Sequence, residues 1–351
     1  YQALDEEHAD ALKNAPSEVH FYRKAKAICI GIDYVGTDVE RKLQCAQTDA
    51  REVAQRFESE YGFESSLLLE TQATKEAIST AIDDAAKELD ETDALIIYFA
   101  GHGATVTHGN PDNNHQMQSG FIVPYVKKGL KLTETDITQW QDHAIDMSEL
   151  SDRLERYDVH HTLLILDCCF SGFAGQRSGF ESMPLYEQLL KSPAVMVMTA
   201  GRRDDPVLEH PKFGHGLFTY ALLSELRNDP LISTTQLFVA VQEEVSALQQ
   251  DHLLPGKRMT PLLRRIGKGE GEFVFLPKSI DDGELANEMR AAWERTQASG
   301  FKFVAETELF TAQQAGNQYL DATNNPEFHK EQWQLRFIRF MDNATLNDPL
   351  A

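Results

Sequence analysis

Five runs of consecutive apolar residues stand out along the chain: KAICIGI (26–32), SSLLLE (65–70), ALIIYFA (94–100), HTLLILDCC (161–169) and AVMVMTA (194–200). Each has strand length and ends near small or polar residues. A continuous apolar run, unlike an alternating one, marks a strand covered on both faces. Between the runs, apolar positions recur at helical spacing: at about 45–60, where Val53, Ala54 and Phe57 share a face, at about 74–89, and at about 147–156 behind Asp146, a residue suited to capping a helix N-terminus. Strand-length runs that alternate with helical stretches predict parallel βαβ units. The expected fold class is α/β, a mainly parallel central sheet with helices on both faces. Helices near 214–228 and 234–250 and a last strand pair around TPLLRR and EFVFL continue the pattern, so the sheet domain should close near Pro277.

From Lys278 the grammar changes. SIDDGELANEMRAAWERTQASG reads as one helix, and the remainder is rich in aromatics, among them Trp293, Phe310, Trp333 and Phe340. Such spacing fits a helical, aromatic-rich extension that docks on the sheet domain, or a pocket whose ring faces stack on a planar ligand. The resulting division is an N-terminal extension over 1–23, a catalytic-size domain over 24–277 and an accessory or regulatory subdomain over 278–351.

Charge narrows the function. The chain has 351 residues, with 33 basic and 55 acidic side chains and a formal charge of -22. Nucleic-acid binding by counterion release needs the opposite sign, so no nucleic-acid partner is expected. Four cysteines, two of them adjacent, make no disulfide framework and suit a reducing compartment. No apolar run approaches the roughly 20 residues of a membrane span, and the first residues lack the basic and apolar parts of a signal peptide. The expected location is the cytoplasm, with no membrane contact.

The chemistry concentrates at two strand ends. In open parallel sheets, sites form beyond the carboxyl ends of the strands. The third apolar run leads into Gly101, His102 and Gly103, and the fourth into Asp167, Cys168, Cys169, Phe170, Ser171 and Gly172. A thiol is a nucleophile as thiolate, and an imidazole nearby creates it or protonates the leaving amine. Glycines beside both residues leave the backbone free to approach a carbonyl and offer N–H donors to an oxyanion. The residues alone thus point to a Cys/His hydrolase.

Here the sequence resembles the caspase and metacaspase family of cysteine proteases. YFAGHG (98–103) is similar to the family's strand-end histidine motif, and DCCFSG (167–172) to the D-x-C-x-S-G box that carries the nucleophile. The opening AICIGIDYVGTDVERKLQCAQTDAREV and the segment GFIVPYV (120–126) are similar as well, and the likeness spans roughly 24–277. It implies a caspase-like fold and a thiol endopeptidase with Cys169 as nucleophile, His102 as general acid/base, and the amides of Gly103 and Cys169 as oxyanion hole. Cys168 falls on a variable position of the motif and is expected to be packed. Phe170, where many metacaspases carry His, and the absence of the Q-A-C-x-G box set the chain on the prokaryotic or metacaspase-like side.

The resemblance also bears on specificity. Metacaspase-like enzymes cleave after Arg or Lys. LQCAQTDA (43–50) resembles their pocket segment and nominates Cys45 and Asp49, while TAGRRDDPV (199–207) nominates Asp204, with Asp205 beside it. Desolvated carboxylates favour a bidentate guanidinium over an ammonium, so arginine in basic protein or peptide substrates is the expected target. Arg202 and Arg203 in the same loop offer the opposite choice, an acidic residue held as in animal caspases.

Regulation is expected from the family context: self-cleavage at Arg177, or an activator protein or small nucleotide signal acting at the C-terminal region, as in antiviral or programmed-death systems. Some metacaspases use calcium, and PDNNHQ (111–116) offers oxygens without EF-hand spacing. No metal site is expected from Cys and His spacing. The alternative to a protease is a ligand-gated scaffold on the same fold.

Overall fold

The computed structural model describes residues 22–110, 115–130, 132, 137–169, 176–177, 192–201, 208–210, 213–228, 232–251, 259–267, 269 and 271–278. All belong to one compact unit, His20–Gly179 with Tyr186–Ile280. Residues 1–21 and 279–351 lie outside the described residues, as do Arg202, Arg203, Asp204, Asp205 and most of PDNNHQ; Cys169 and Arg177 are described by backbone alone.

In chain order the elements are β1 (Ala25–Gly31), α1 (Ala46–Tyr61), β2 (Glu64–Leu69), α2 (Lys75–Lys87), β3 (Ala94–Ala100), β4 (His102–Asn110), β5 (His115–Val123), α3 (Ile137–His143), β6 (Ile145–Asp146), α4 (Met147–Leu154), β7 (His161–Cys169), β8 (Gln176–Arg177), β9 (Ala194–Gly201), β10 (Glu209–His210), β11 (His215–Gly216), α5 (Leu217–Asn228), β12 (Ile232–Ser233), α6 (Thr234–Asp251), β13 (Leu262–Ile266) and β14 (Val274–Phe275). The central sheet has the order β2-β1-β3-β7-β9-β13-β8. Its first five strands are parallel; β13 pairs antiparallel with β9, and the edge strand β8 pairs antiparallel with β13. Each of the five apolar runs forms one of the parallel strands. All seven residues of β3 are buried, so both of its faces are covered, which is what its unbroken apolar run requires.

Two details correct the pattern-based reading. The last two strands do not pair with each other: β13 lies against β9 and β8, and β14 against β12. Moreover, the chain beyond β3 turns directly into an antiparallel hairpin, β4 with β5, joined by β6. That hairpin begins GHGATVTHGN, too small and polar to register as a strand by apolar content.

The sheet sets the site through register. Gly31 of β1 pairs with Ala100 of β3, and Ala100 pairs with Asp167 of β7. β1 and β3 therefore end on the rung that β7 passes at Asp167, and the residues that follow share one edge. His102 and Cys169 each lie two residues beyond the Ala100–Asp167 rung.

Helix α1 reaches that edge because Gly31 has no side chain. A Cβ there would stand 2.3 Å from the Ala46 carbonyl oxygen and 2.8 Å from the Ala50 Cβ. Its apolar stripe, Ala50, Val53, Ala54 and Phe57, is buried. Gly62 ends the helix in the left-handed region at φ 72°, which favours glycine. At α4, Asp146 Oδ1 accepts the Ser148 amide at 2.8 Å, the capping expected from its position. Among the described residues, no helix is long and apolar enough to cross a membrane.

Candidate active site

Four contacts hold His102, directly or through Tyr34. Its amide donates to the Tyr34 hydroxyl at 2.7 Å, and that hydroxyl donates to the Val123 carbonyl at 2.7 Å. The Tyr34 ring stacks on the imidazole with centroids 4.7 Å apart. The fourth contact joins Nε2 to the Arg41 carbonyl oxygen at 2.6 Å. A carbonyl can only accept, so Nε2 carries the proton, and in the neutral ring Nδ1 is the nitrogen with a lone pair. Burial lowers the imidazole's pKa, partly offset by the Arg41 carbonyl, so His102 is neutral and able to accept a proton near neutral pH. Gly103 follows on β4, partly exposed.

Loop 32–45 carries these contacts and is itself tied down. Tyr34 adopts φ 63°, a left-handed conformation uncommon for an aromatic residue. Asp33 fixes the loop at both ends. Its carbonyl accepts the Leu43 amide at 3.1 Å, and its carboxylate accepts the Ala46 amide at 2.9 Å at the start of α1. Glu70 accepts the Asp33 amide at 2.7 Å.

On the neighbouring strand, the backbone of Cys169 closes β7, paired with Gly201 of β9 after an irregularity beyond Leu166. Cys168 is fully buried and forms no disulfide. Asp167, on the rung itself, is 2% exposed. Its Oδ2 accepts the Thr219 hydroxyl at 2.5 Å, and Thr219 in turn bonds Tyr98 at 2.5 Å. Its Oδ1 is buried with no hydrogen-bond partner among the described residues.

A second carboxylate stands close by. Asp49, also 2% exposed, meets His215 Nδ1 at 2.6 Å and the Gly216 amide at 3.1 Å. Gly216 separates the two acids: a Cβ there would lie 2.9 Å from Asp167 Oδ2 and 3.3 Å from Asp49 Oδ2. Burial raises both carboxyls above the ordinary range, and the Asp49 charge raises Asp167 further. The hydrogen bond to Asp49 raises the pKa of His215, whose Nε2 also lies 3.3 Å from Glu52. Cys45, just before α1, is buried, and burial next to the Glu209 charge pushes its thiol up to about 12. It is therefore no thiolate.

Of the residues nominated from sequence, the structure brings Cys45, Asp49, His102, Gly103 and the Cys169 backbone to the same sheet edge. The Arg177 backbone lies instead on the far edge strand β8, paired with Arg264. Tyr34, the Arg41 carbonyl, Glu209 and His215, which the structure gathers here, are not nominated by the sequence, and Asp167 enters it only as the D of DCCFSG. Among the described residues no group of three or more His, Cys, Asp or Glu could hold a metal ion.

The caspase-domain family model matches residues 24–266, well over half of the chain. The chain belongs to the caspase-domain family. Its members are cysteine peptidases. Similar solved structures include protein GSU0716 from Geobacter sulfurreducens, at 18% identity and TM-score 0.47 over 70% of this chain and 94% of that one. Another is caspase-1 from Spodoptera frugiperda, at 14% identity and TM-score 0.49 over 75% and 96%. No curated protein matches the chain. Within this caspase domain, the histidine motif ends β3 and the cysteine motif ends β7, on adjacent parallel strands.

Proposed function

We propose that this caspase-domain protein is an endopeptidase that cleaves proteins after arginine, and less readily after lysine, with Cys169 and His102 as its dyad. The observation that carries the peptidase chemistry is the fixed tautomer of His102, with Nε2–H on the Arg41 carbonyl. Nδ1 then takes the thiol proton as the sulfur attacks the substrate carbonyl carbon, and delivers it to the leaving amine as the C–N bond breaks. Water hydrolyses the thioester, its proton passing through the same nitrogen, and regenerates the thiol. The Gly103 and Cys169 amides are assigned to the oxyanion that forms in both steps.

Support for arginine comes from the buried acids. Asp167 Oδ1 lacks a partner among the described residues, and a buried carboxylate oxygen left unpaired costs about 1–3 kcal/mol, a penalty that a cationic side chain removes on binding. Cys45 and Asp49 line the same place, and Asp204 and Asp205 remain assigned to it from the family likeness.

The test is cleavage of fluorogenic peptides ending in Arg, Lys or Asp by wild type and Cys169→Ala, with and without calcium. Cleavage after Arg that is lost in the variant supports the proposal. Cleavage after Asp overturns the specificity, and cleavage that survives Cys169→Ala overturns the dyad.

A further inference from the structure

We propose that Glu209 is the substrate-facing carboxylate of the specificity pocket and meets the guanidinium of the cleaved arginine at the mouth of the Asp49–Asp167 pair. The inference rests on the arginine reading above and adds a residue that neither motif nor charge pattern nominated.

Its place in the fold comes first. On the two-residue ladder of β10 and β11, Glu209 pairs with Gly216, the residue against which both buried carboxylates lie. Its Oε1 accepts the amides of Gln44 and Cys45 at 2.9 and 2.8 Å, immediately before α1, the helix that carries Asp49. The same loop, three residues earlier, supplies the carbonyl that orients His102. Glu209 thus joins the loop at the catalytic histidine to the strand beside the acid pair.

Its exposure comes next. Asp49 and Asp167 are buried, whereas Glu209 is partly open to solvent. A side chain arriving from solvent meets Glu209 before it meets the pair. Among the described residues both hydrogen bonds of Glu209 go to Oε1, and an ionised carboxylate has about four acceptor sites. The outer carboxylate therefore keeps acceptor capacity, and the buried Asp167 Oδ1, without a partner among the described residues, calls for a donor. A guanidinium, with five N–H groups on a planar fork, is suited to serve an outer and an inner carboxylate together; an ammonium concentrates its donors on one atom. The charge of Glu209 is also felt at Cys45, Asp49, Asp167 and His102, each of whose pKa it raises.

A merely structural role would look different. If Glu209 served only to anchor Gln44 and Cys45, its loss would loosen the Arg41 carbonyl and reduce turnover whatever the substrate. The experiment compares the full-length wild type with Glu209→Gln, which keeps an acceptor oxygen for the two amides and removes the charge. The expected result is a rise of about tenfold in KM for the Arg peptide and in the inhibition constant of benzamidine, an amidinium probe. The kcat value should stay within about twofold, and alkylation of Cys169 by iodoacetamide should be unchanged. Glu209→Asp, which keeps the charge but withdraws it by one methylene, gives an independent reading: benzamidine binding should stay stronger than in Glu209→Gln. Unchanged KM and inhibition constants in both variants would overturn the proposal, as would a fall in kcat and alkylation with KM intact. A wild type that cleaves after Arg while Glu209→Gln behaves identically sinks Glu209 alone; a wild type that ignores Arg peptides and benzamidine sinks the arginine reading itself.

Discussion

Replacing Tyr34 by Phe removes one oxygen atom and tests how His102 is held. The phenol of this fully buried residue bridges the His102 amide and the Val123 carbonyl, each at 2.7 Å. Gly101 makes room for it, since a Cβ there would stand 2.9 Å from the hydroxyl. Without the hydroxyl, the buried Val123 carbonyl loses its donor outright, at about 1–3 kcal/mol, and the partly buried His102 amide adds a smaller share. The sum is about 3 kcal/mol. In a domain of this size each kcal/mol moves Tm by roughly 2–4 °C, so the melting temperature should fall by roughly 6–12 °C. The ring remains to stack on the imidazole, and the Arg41 carbonyl still holds Nε2. Turnover should therefore drop by about tenfold through loosened positioning, with KM within about twofold. Thermal unfolding followed by circular dichroism, together with steady-state kinetics on the Arg peptide, reads both effects. A variant that melts within about 2 °C of wild type and turns over normally would refute the claim that this hydroxyl seats the histidine.

Two further outcomes follow from geometry and charge. Gly31→Ala drives a methyl into the Ala46 carbonyl and should shift the start of α1, lowering both Tm and activity; a variant with wild-type Tm would show that the helix start gives way without cost. The folded-state pKa of Asp49 and Asp167 is raised by burial, so the folded chain holds protons that the unfolded chain has released, and stability is lost as pH climbs from the ordinary carboxylate range towards neutrality. Asp167→Asn should accordingly gain Tm over wild type by an amount that grows across that window while it loses Arg cleavage, and a gain independent of pH would count against the buried-charge argument.

Much of the fold was legible because burial on both faces leaves an unbroken apolar run. ALIIYFA and HTLLILDCC could hardly be anything but central strands, and their last residues located His102 and Cys169. The β4–β5 hairpin escaped because GHGATVTHGN pairs through its backbone and needs few apolar side chains to do so. Arg41 escaped for a related reason, since it acts through a carbonyl that every residue possesses. Glu209 follows the pair Asp204 and Asp205 with no motif of its own, and only strand pairing reveals that it stands opposite Gly216. His215 is tied to Asp49 by a contact across more than 160 positions of chain, which no local pattern records.

The shared rung at Ala100 and Asp167 bears on how such an enzyme can be switched. Strand ends locked on one rung in the middle of a sheet cannot be drawn apart by a hinge or a sliding helix. Separating them means breaking the sheet. Control of the proposed peptidase is therefore to be sought in access to these strand ends, with the framework that carries His102 and Cys169 already assembled before any substrate arrives.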